Sequence, residues 1–308
     1  MAETWFDRRT HDWRRWTPAD LVAAKQATGQ RVSLVIPARD EAATIADVVS
    51  RLHREFLQAG GLADELVVID GGSRDRTARL ARDAGATVHD LAAIRPDLGS
   101  RAGKGEALWK SQFVTTGDVL VFIDGDLTEW DTHFVTGLLG PLLTSPEVAL
   151  VKGFYERPLR VGASEEPAGG GRATELVARP VLALTRPDLT QVVQPLAGEW
   201  AVRREVFATL SVPTGYGVDV AALVDVHDRL GIDAIAQVDL GRRGHSHQSL
   251  RDLGAMAVQV MAAVLGRSGS GVDQHAVLRQ FVNGADGHRP ALRDVDLSER
   301  PPAREVGA

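Results

Sequence analysis

The chain predicts an α/β fold, an open and mostly parallel sheet with helices on both faces, and three observations point to it. Short β-branched apolar runs alternate with helix-periodic stretches through the first half. The runs are continuously apolar rather than alternating, as in strands buried on both sides. Three of them end at Pro37, Asp70 and Asp124. Ligands of open α/β sheets bind beyond the carboxyl ends of the strands, so this coincidence marks one edge as the working edge.

The elements follow in order. Residues 1–30 read as a helical preamble ending near Gly29. Val32–Ile36 is the first strand, stopped by Pro37, and Ala42–Leu57 has helical spacing. Leu66–Ile69 is the second strand; Gly71-Gly72-Ser73 turns into a helix over Asp75–Ala84 that Ser73 could cap. Ala86–Val88 is a weaker strand, Val119–Ile123 a strong one, and Val148–Val151 a fifth. Arg160–Arg172, with Glu165, Glu166 and a glycine cluster, reads as a mobile loop or a surface excursion. A helix over Arg172–Leu184, strands Gly198–Val202 and Ile235–Leu240, and helices Asp219–Leu230 and Leu250–Leu265 complete the reading. Beyond Gly266 the chain turns rich in Gly, Asp, Arg and Pro, and the end from about Asp286 is expected to be poorly ordered. The division expected is 1–30 a helical segment, 31–155 a nucleotide-binding α/β region, 156–265 an acceptor region completing the same domain, and 266–308 an extension.

Composition excludes several classes. The 308 residues are 44% apolar, enough for a substantial core, and carry a formal charge of -6, which gives no nucleic-acid footprint. With no cysteine there is no disulfide, thiolate catalysis or Cys-ligated zinc. A cytoplasmic address is compatible with that. No apolar run reaches membrane-spanning length, and the N-terminus lacks a signal-peptide h-region. Trp5, Trp13 and Trp16 among Arg8, Arg9, Arg14 and Arg15 suit a membrane-surface segment or, more commonly, one that packs back on its own domain or a partner subunit.

Asp124 and Asp126 flank Gly125 at a strand end, where the backbone can turn both carboxylates toward a divalent cation. Mg²⁺ and Mn²⁺ take oxygen ligands and neutralise a diphosphate leaving group. An Asp-Gly-Asp turn without function has the same sequence. His245 or His247 could add a third ligand, hold a phosphate, or be merely exposed. In Arg101–Leu108, Gly103 and Gly105 would let backbone approach a ligand, and Lys104 could pair with a phosphate. Neither the phosphate loop nor the dinucleotide fingerprint is present, which weakens ATPase and dehydrogenase readings. Gly169–Thr174 offers amides, a guanidinium and a hydroxyl at one helix start, suited to an anion or to a plain linker. Asp219 could orient a sugar hydroxyl or simply favour its helix start.

The order Val35-Ile-Pro-Ala-Arg-Asp-Glu41, Val68-Ile-Asp-Gly-Gly-Ser-Arg-Asp-Arg-Thr77, Gly103-Lys-Gly105 and Phe122-Ile-Asp-Gly-Asp126 resembles the GT-A glycosyltransferases. Val151–Tyr155, Gly171–Pro180, Gln194–Glu199 and Gly215–Asp219 narrow the resemblance to the retaining glucosyl-3-phosphoglycerate synthases of actinobacteria. That resemblance implies a GT-A fold, with a mixed, mostly parallel sheet and a smaller acceptor-binding lobe. It implies transfer of glucose from UDP-glucose to the 2-hydroxyl of 3-phosphoglycerate, with a divalent metal, by a homodimer. By the same resemblance, Pro37, Ala38, Arg39 and Glu41 would border the nucleotide, and Asp70 and Ser73 would hold uridine or ribose. Lys104 would lie on the nucleotide side, Asp124 and Gly125 would face the donor, and Asp126 and His245 would ligate the metal. The backbone of Leu196 would lie beside the reacting centre, with Tyr216 and Asp219 along the donor sugar. Gly171, Arg172 and Thr174 would hold the acceptor phosphate, with Arg243 and His247 nearby. The chain departs from the family pattern with Trp200 for a Tyr, Asp219 for a Glu, His247 for an Asn and Asp40 for an Asn. Those changes keep GDP-mannose open as an alternative donor. A nucleotide-binding module without turnover, or a nucleotidyltransferase or hydrolase, are the readings from other classes.

Overall fold

The structure, a computed structural model, describes residues 3–156, 159–161, 164–166, 171–244, 249–284 and 287–307. Helix α1 (Trp5–Arg9), strand β1 (Thr10–Asp12) and helix α2 (Pro18–Thr28) come first. Then β2 (Val32–Ala38), α3 (Ile45–Leu52), β3 (Glu65–Asp70), α4 (Thr77–Asp83), β4 (Thr87–Asp90), α5 (Lys104–Ser111), β5 (Val119–Phe122) and α6 (His133–Thr144) alternate. Strand β6 (Leu150–Glu156) precedes a small hairpin of β7 (Leu159–Val161) and β8 (Ser164–Glu166). Helix α7 (Arg179–Thr185), β9 (Trp200–Arg203), α8 (Arg204–Phe207), β10 (Val212–Pro213), α9 (Val218–Leu230), β11 (Ile235–Arg242) and α10 (Leu250–Gly266) follow. Last come β12 (His275–Gly284), β13 (Gly287–Asp296) and β14 (Glu299–Arg300).

Eight strands form one sheet in the order β1-β11-β6-β9-β5-β2-β3-β4. All neighbours run parallel except β9, which is antiparallel to both β5 and β6. Two buried apolar clusters cover its faces. One gathers Trp109, Leu223 and Val264 of α5, α9 and α10 beside Trp200; the other gathers Val49 and Leu139 of α3 and α6 beside Val121. The expected open, mixed, mostly parallel sheet with helices on both faces is what forms. The 156–265 segment supplies β9 and β11 to that sheet, so it completes the main body rather than standing beside it.

Three expectations need correction. The preamble is not helical throughout, because Thr10–Asp12 pairs parallel to Gln237–Asp239 and becomes the sheet edge. Its tryptophans pack back on the domain: Trp13 stacks on His133 at 4.0 Å, and Trp16 covers Gly140, where a Cβ would collide. Pro37 does not stop β2. Beyond Val35 that strand pairs with β3 alone, so a residue without an N–H is tolerated there.

The third correction concerns the end of the chain. Gly287–Asp296 pairs with His275–Gly284 as a long hairpin, and β14 pairs with β10. Pro301 accepts a hydrogen bond from Trp109 Nε1 at 2.7 Å, and Ala303 is buried. Arg300 donates to the fully buried Glu106 through Nε and Nη2, both at 2.7 Å. A tail that neutralises a buried carboxylate holds its place despite a polar composition. Residues 162–163 and 167–170 of the expected mobile loop Arg160–Arg172 lie outside the described residues. No helix among the described residues is long and apolar enough to cross a membrane.

Arg300→Met would leave Glu106 buried with only the Arg101 amide and Lys110 nearby. Chemical denaturation should show a loss of about 3 kcal/mol, the size expected when one partner of a buried ion pair is removed. An unchanged midpoint would show that the tail does not stabilise α5.

Candidate active site

The sheet edge formed by the ends of β2, β3 and β5 opens into a cavity of about 650 Å³. The loop after β2 is fixed by a local exchange with the loop after β3. Asp40 takes a left-handed φ of 57°, which Asp tolerates, and its carboxylate accepts from the Arg74 amide at 2.7 Å. Its own amide donates to Ser73 Oγ at 2.9 Å, and Ser73 Oγ donates to Asp70. Asp70 and Ser73 therefore bond each other and do not line the cavity; Gly71 between them does. Pro37, Ala38, Arg39 and Glu41 form the adjoining wall.

Strand β9 enters from the opposite direction, so its first residues lie at the same edge as the last residues of β5, with Phe122 opposite Trp200. This brings Leu196 and Gly198, on the turn before β9, against Asp124 at the end of β5. Lys104, the first residue of α5, reaches Asp124 Oδ1 at 2.8 Å, Asp219 Oδ2 at 3.4 Å and the Gly198 carbonyl at 3.3 Å. Burial works against its charge, yet Asp124 and Asp219 outweigh burial and hold the ammonium well above its usual range. Asp219, in the first turn of α9, also accepts from Trp200 Nε1 at 2.8 Å. Two residues that the resemblance marked as departures, Trp200 and Asp219, thus meet in one bond.

Arg243, almost fully buried, bridges Asp124 Oδ2 at 3.1 Å, Asp126 Oδ1 at 3.0 Å and Glu199 Oε1 at 3.3 Å. It donates also to Tyr155 Oη at 3.1 Å, and that hydroxyl donates to Glu199. Burial raises Glu199, against the pull of Arg243, while Arg243 itself is held above its usual range by Glu199 and the surrounding acids. Glu41 is pushed up to about 7, first by burial and then by Asp126 and Asp124. Asp126 and Asp124 thus add to burial in disfavouring charge on Glu41, and their hard carboxylate oxygens are of the kind that suits Mg²⁺ or Mn²⁺. Among the described residues no cluster of three ligating side chains completes a metal site. His245 and His247, the third-ligand candidates, lie outside the described residues.

Gly171, Arg172 and Thr174 line another part of the wall at a helix start, and Tyr216 lies at the rim, half exposed. Gly125 lines the floor and accepts a hydrogen bond from Thr44 through its carbonyl at 2.7 Å. Gly103 lines the cavity, and packing gives it and Gly105 a reason of their own. Gly103 and Gly105 are small because α5 starts against Pro213–Gly215, where any Cβ would strike a carbonyl; Glu106 N donates to Thr214 O at 2.9 Å. Sequence reasoning missed Glu199, Tyr155 and Lys152 as site groups, although each stood in a motif that carried the family resemblance. It also missed the α10 wall of Leu253, Met256, Gln259 and Val260, which carries no polar signature beyond one glutamine.

Gly198 has its hydrogen where a Cβ would meet Asp124 Oδ2 and Lys104 Nζ. Gly198→Ala should cost about 2 kcal/mol by overpacking, read by thermal unfolding. A wild-type melting curve would show that the turn has room to retreat.

The chain was compared with known proteins. Residues 33–194 match the family model "Glycosyl transferase family 2". A glucosyl-3-phosphoglycerate synthase of Mycolicibacterium smegmatis is 49% identical over 304 residues, spanning 98% of each protein. A glucosyl-3-phosphoglycerate synthase of Mycobacterium tuberculosis, solved with Mn²⁺, UDP-glucose and phosphoglyceric acid, superposes with a TM-score of 0.86 at 43% identity, covering 97% of this chain and 99% of that one. The same protein with Mg²⁺ and UDP gives 0.87 at 43% identity over the same shares. By sequence and by architecture, the chain belongs to glycosyl transferase family 2 and, within it, to the glucosyl-3-phosphoglycerate synthases.

Proposed function

We propose that this protein transfers glucose from UDP-glucose to the 2-hydroxyl of 3-phosphoglycerate, with retention at the anomeric carbon and with Mn²⁺ or Mg²⁺ as cofactor. One observation carries the reading: a single cavity joins an acid–lysine cluster suited to a metal-bound diphosphate with the Gly171–Thr174 helix start, suited to a second phosphate. Relatives solved with UDP-glucose, a divalent metal and phosphoglyceric acid support it.

Asp126, with Asp124 beside it and His245 as the expected further ligand, would hold the cation. When bound, the cation supplies charge neutralisation for the departing diphosphate. Lys104 adds a buried ammonium whose charge Asp124 and Asp219 secure. Pro37, Ala38, Arg39 and Glu41 position the nucleotide. Arg172 and Thr174 grip the acceptor phosphate, and Arg243 balances charge between the two. The Asp219 carboxylate already bonds Trp200 and Lys104, so it orients rather than attacks. No protein nucleophile is needed. The bond from the anomeric carbon to the diphosphate breaks and the bond to the acceptor oxygen forms on the same face. The hydroxyl proton passes to the departing diphosphate oxygen. The Leu196 backbone borders that centre, and most of the catalysis is positioning and charge stabilisation.

We also read the protein as a homodimer. The β12–β13 hairpin lays one face on α10 through Arg293–Asp252 and Gln280, and its other face exposes Val277, Phe281 and Leu292. Such a stripe suits a second copy.

The decisive assay sets UDP-glucose and GDP-mannose against 3-phosphoglycerate and water, with Mn²⁺ or Mg²⁺. UDP-glucose with 3-phosphoglycerate should yield a glucosylated product of unchanged anomeric configuration. Asp126→Ala should lower that rate at least about 100-fold while leaving the melting temperature near wild type. Binding of nucleotide without any product would favour a regulatory module, and product only with GDP-mannose would reassign the donor. For the dimer, light scattering of Phe281→Asp should show a monomer with retained secondary structure; an unshifted mass would move the interface elsewhere.

A further inference from the structure

Beneath the cavity floor lies a lysine that the proposed reaction does not use. Lys152 sits on the central strand β6, directly opposite Trp200 of β9, and is 1% exposed. It does not line the cavity. Its ammonium donates to the Ala197 carbonyl at 2.8 Å and to the Asp219 carbonyl at 3.3 Å, and it lies 5.5 Å from the centre of the Trp200 ring. Burial lowers it to about 8, and the nearby Lys104 opposes its charge while Asp219, Glu199 and Asp124 favour it. Burying an ammonium costs several kcal/mol, and an apolar residue of the same length would fill the strand position without that cost. The charge is therefore retained for something packing alone would not supply.

The two carbonyls it holds identify what that is. Ala197 lies between Leu196 and Gly198 on the turn before β9, and Asp219 opens α9. Lys104 ties the same two segments from inside the cavity, through the Gly198 carbonyl and the Asp219 carboxylate. Two lysines thus clamp one junction, one from within the cavity and one from below. Lys104 is free to exchange its contacts for a ligand's, whereas Lys152 is sealed from any ligand.

We propose that Lys152 is a positioning residue that locks the Gln194–Glu199 turn to the start of α9, and so keeps the Leu196 backbone and the Asp219 carboxylate in register while Lys104 turns to the donor diphosphate. This rests on the glucosyl-transfer reading above. It accounts for the lysine, for its two backbone acceptors and for its placement under Trp200, whose indole bonds the same Asp219.

The test uses the full-length protein with Lys152→Met, which keeps the length of the chain and removes the donors, and Lys152→Gln, which retains an N–H donor. UDP affinity with Mn²⁺, by calorimetry, reports folding and an intact donor site. With Lys152→Met, kcat for transfer should fall about 100-fold while UDP Kd changes no more than about threefold, and Lys152→Gln should recover about a tenth of the rate. Donor hydrolysis should rise as a share of turnover, because the Leu196 backbone no longer keeps the reacting centre shaped for the acceptor hydroxyl. Hydrogen exchange should quicken at residues 194–199 and 218–222 and stay unchanged in β2 and β3. A wild-type kcat, or unchanged exchange at those segments, overturns the proposal. A purely structural lysine would lower the melting temperature without separating kcat from Kd, and that result also overturns it. If Lys152→Met does not fold, Lys152→Gln carries the same readouts. If the wild-type protein transfers no glucose to 3-phosphoglycerate, the functional reading fails, and the exchange pattern alone decides for or against the clamp.

Discussion

One strand runs the wrong way, and the site exists because of it. In a fully parallel sheet the carboxyl ends alone face the working edge, and every connection returns from the far side. Strand β9 is antiparallel to both its neighbours, so its first residues arrive at that edge instead. The turn before it is thereby set against the end of β5, which places Gly198 on Asp124 and Trp200 over Lys152. Without that reversal the carboxylates at the end of β5 would keep Lys104 and Arg243 but lose the Gly198 turn that closes over them.

The reversal also crowds charge. Asp124, Asp126, Glu199 and Asp219 meet Lys104, Lys152 and Arg243 where the cavity passes into the core: Glu199, Asp219, Lys152 and Arg243 are buried, whereas Asp124, Asp126 and Lys104 stay partly exposed to the cavity. Such a cluster is costly to assemble: burial pushes Glu199 up and Lys152 down to about 8, while the neighbouring acids hold Lys104 and Arg243 above their usual ranges against burial. Charges held this close together respond strongly to one added cation or one added diphosphate, because partial burial weakens screening by water. That response is what a transferase needs, since charge develops on the leaving group during the reaction.

Much of this was legible from the residues. The β-branched runs at Val32, Leu66 and Val119 located the strands because buried parallel strands need continuous apolar sequence. Asp124-Gly125-Asp126 and Lys104 stood out because charge beside glycine at an element boundary has few structural excuses, and all four line the cavity. What escaped notice depended on distant partners. Thr10–Asp12 is a strand only because Gln237–Asp239 lies beside it. Glu199 and Lys152 look like ordinary surface charges until the sheet order buries them. The ordering of the tail is of the same kind, since nothing near Arg300 announces a buried carboxylate 194 residues earlier. The resemblance to a family supplied roles for single residues; it did not supply the contacts that let those residues act.

The link between Arg300 and Glu106 has a consequence for how the molecule comes into being. Helix α5 begins with Lys104 and buries Glu106 two residues further on, yet its Arg300 partner is made long afterwards. A ribosome delivers the N-terminal half first, and domains form as their parts emerge. During that interval the sheet can assemble from β2 to β5, but the helix that carries Lys104 holds Glu106 against the growing core with the Arg101 amide and Lys110 and without its Arg300 partner. On that order of synthesis, the start of α5 would gain its last buried ion pair only when the tail arrives, after the strands beside it are already made.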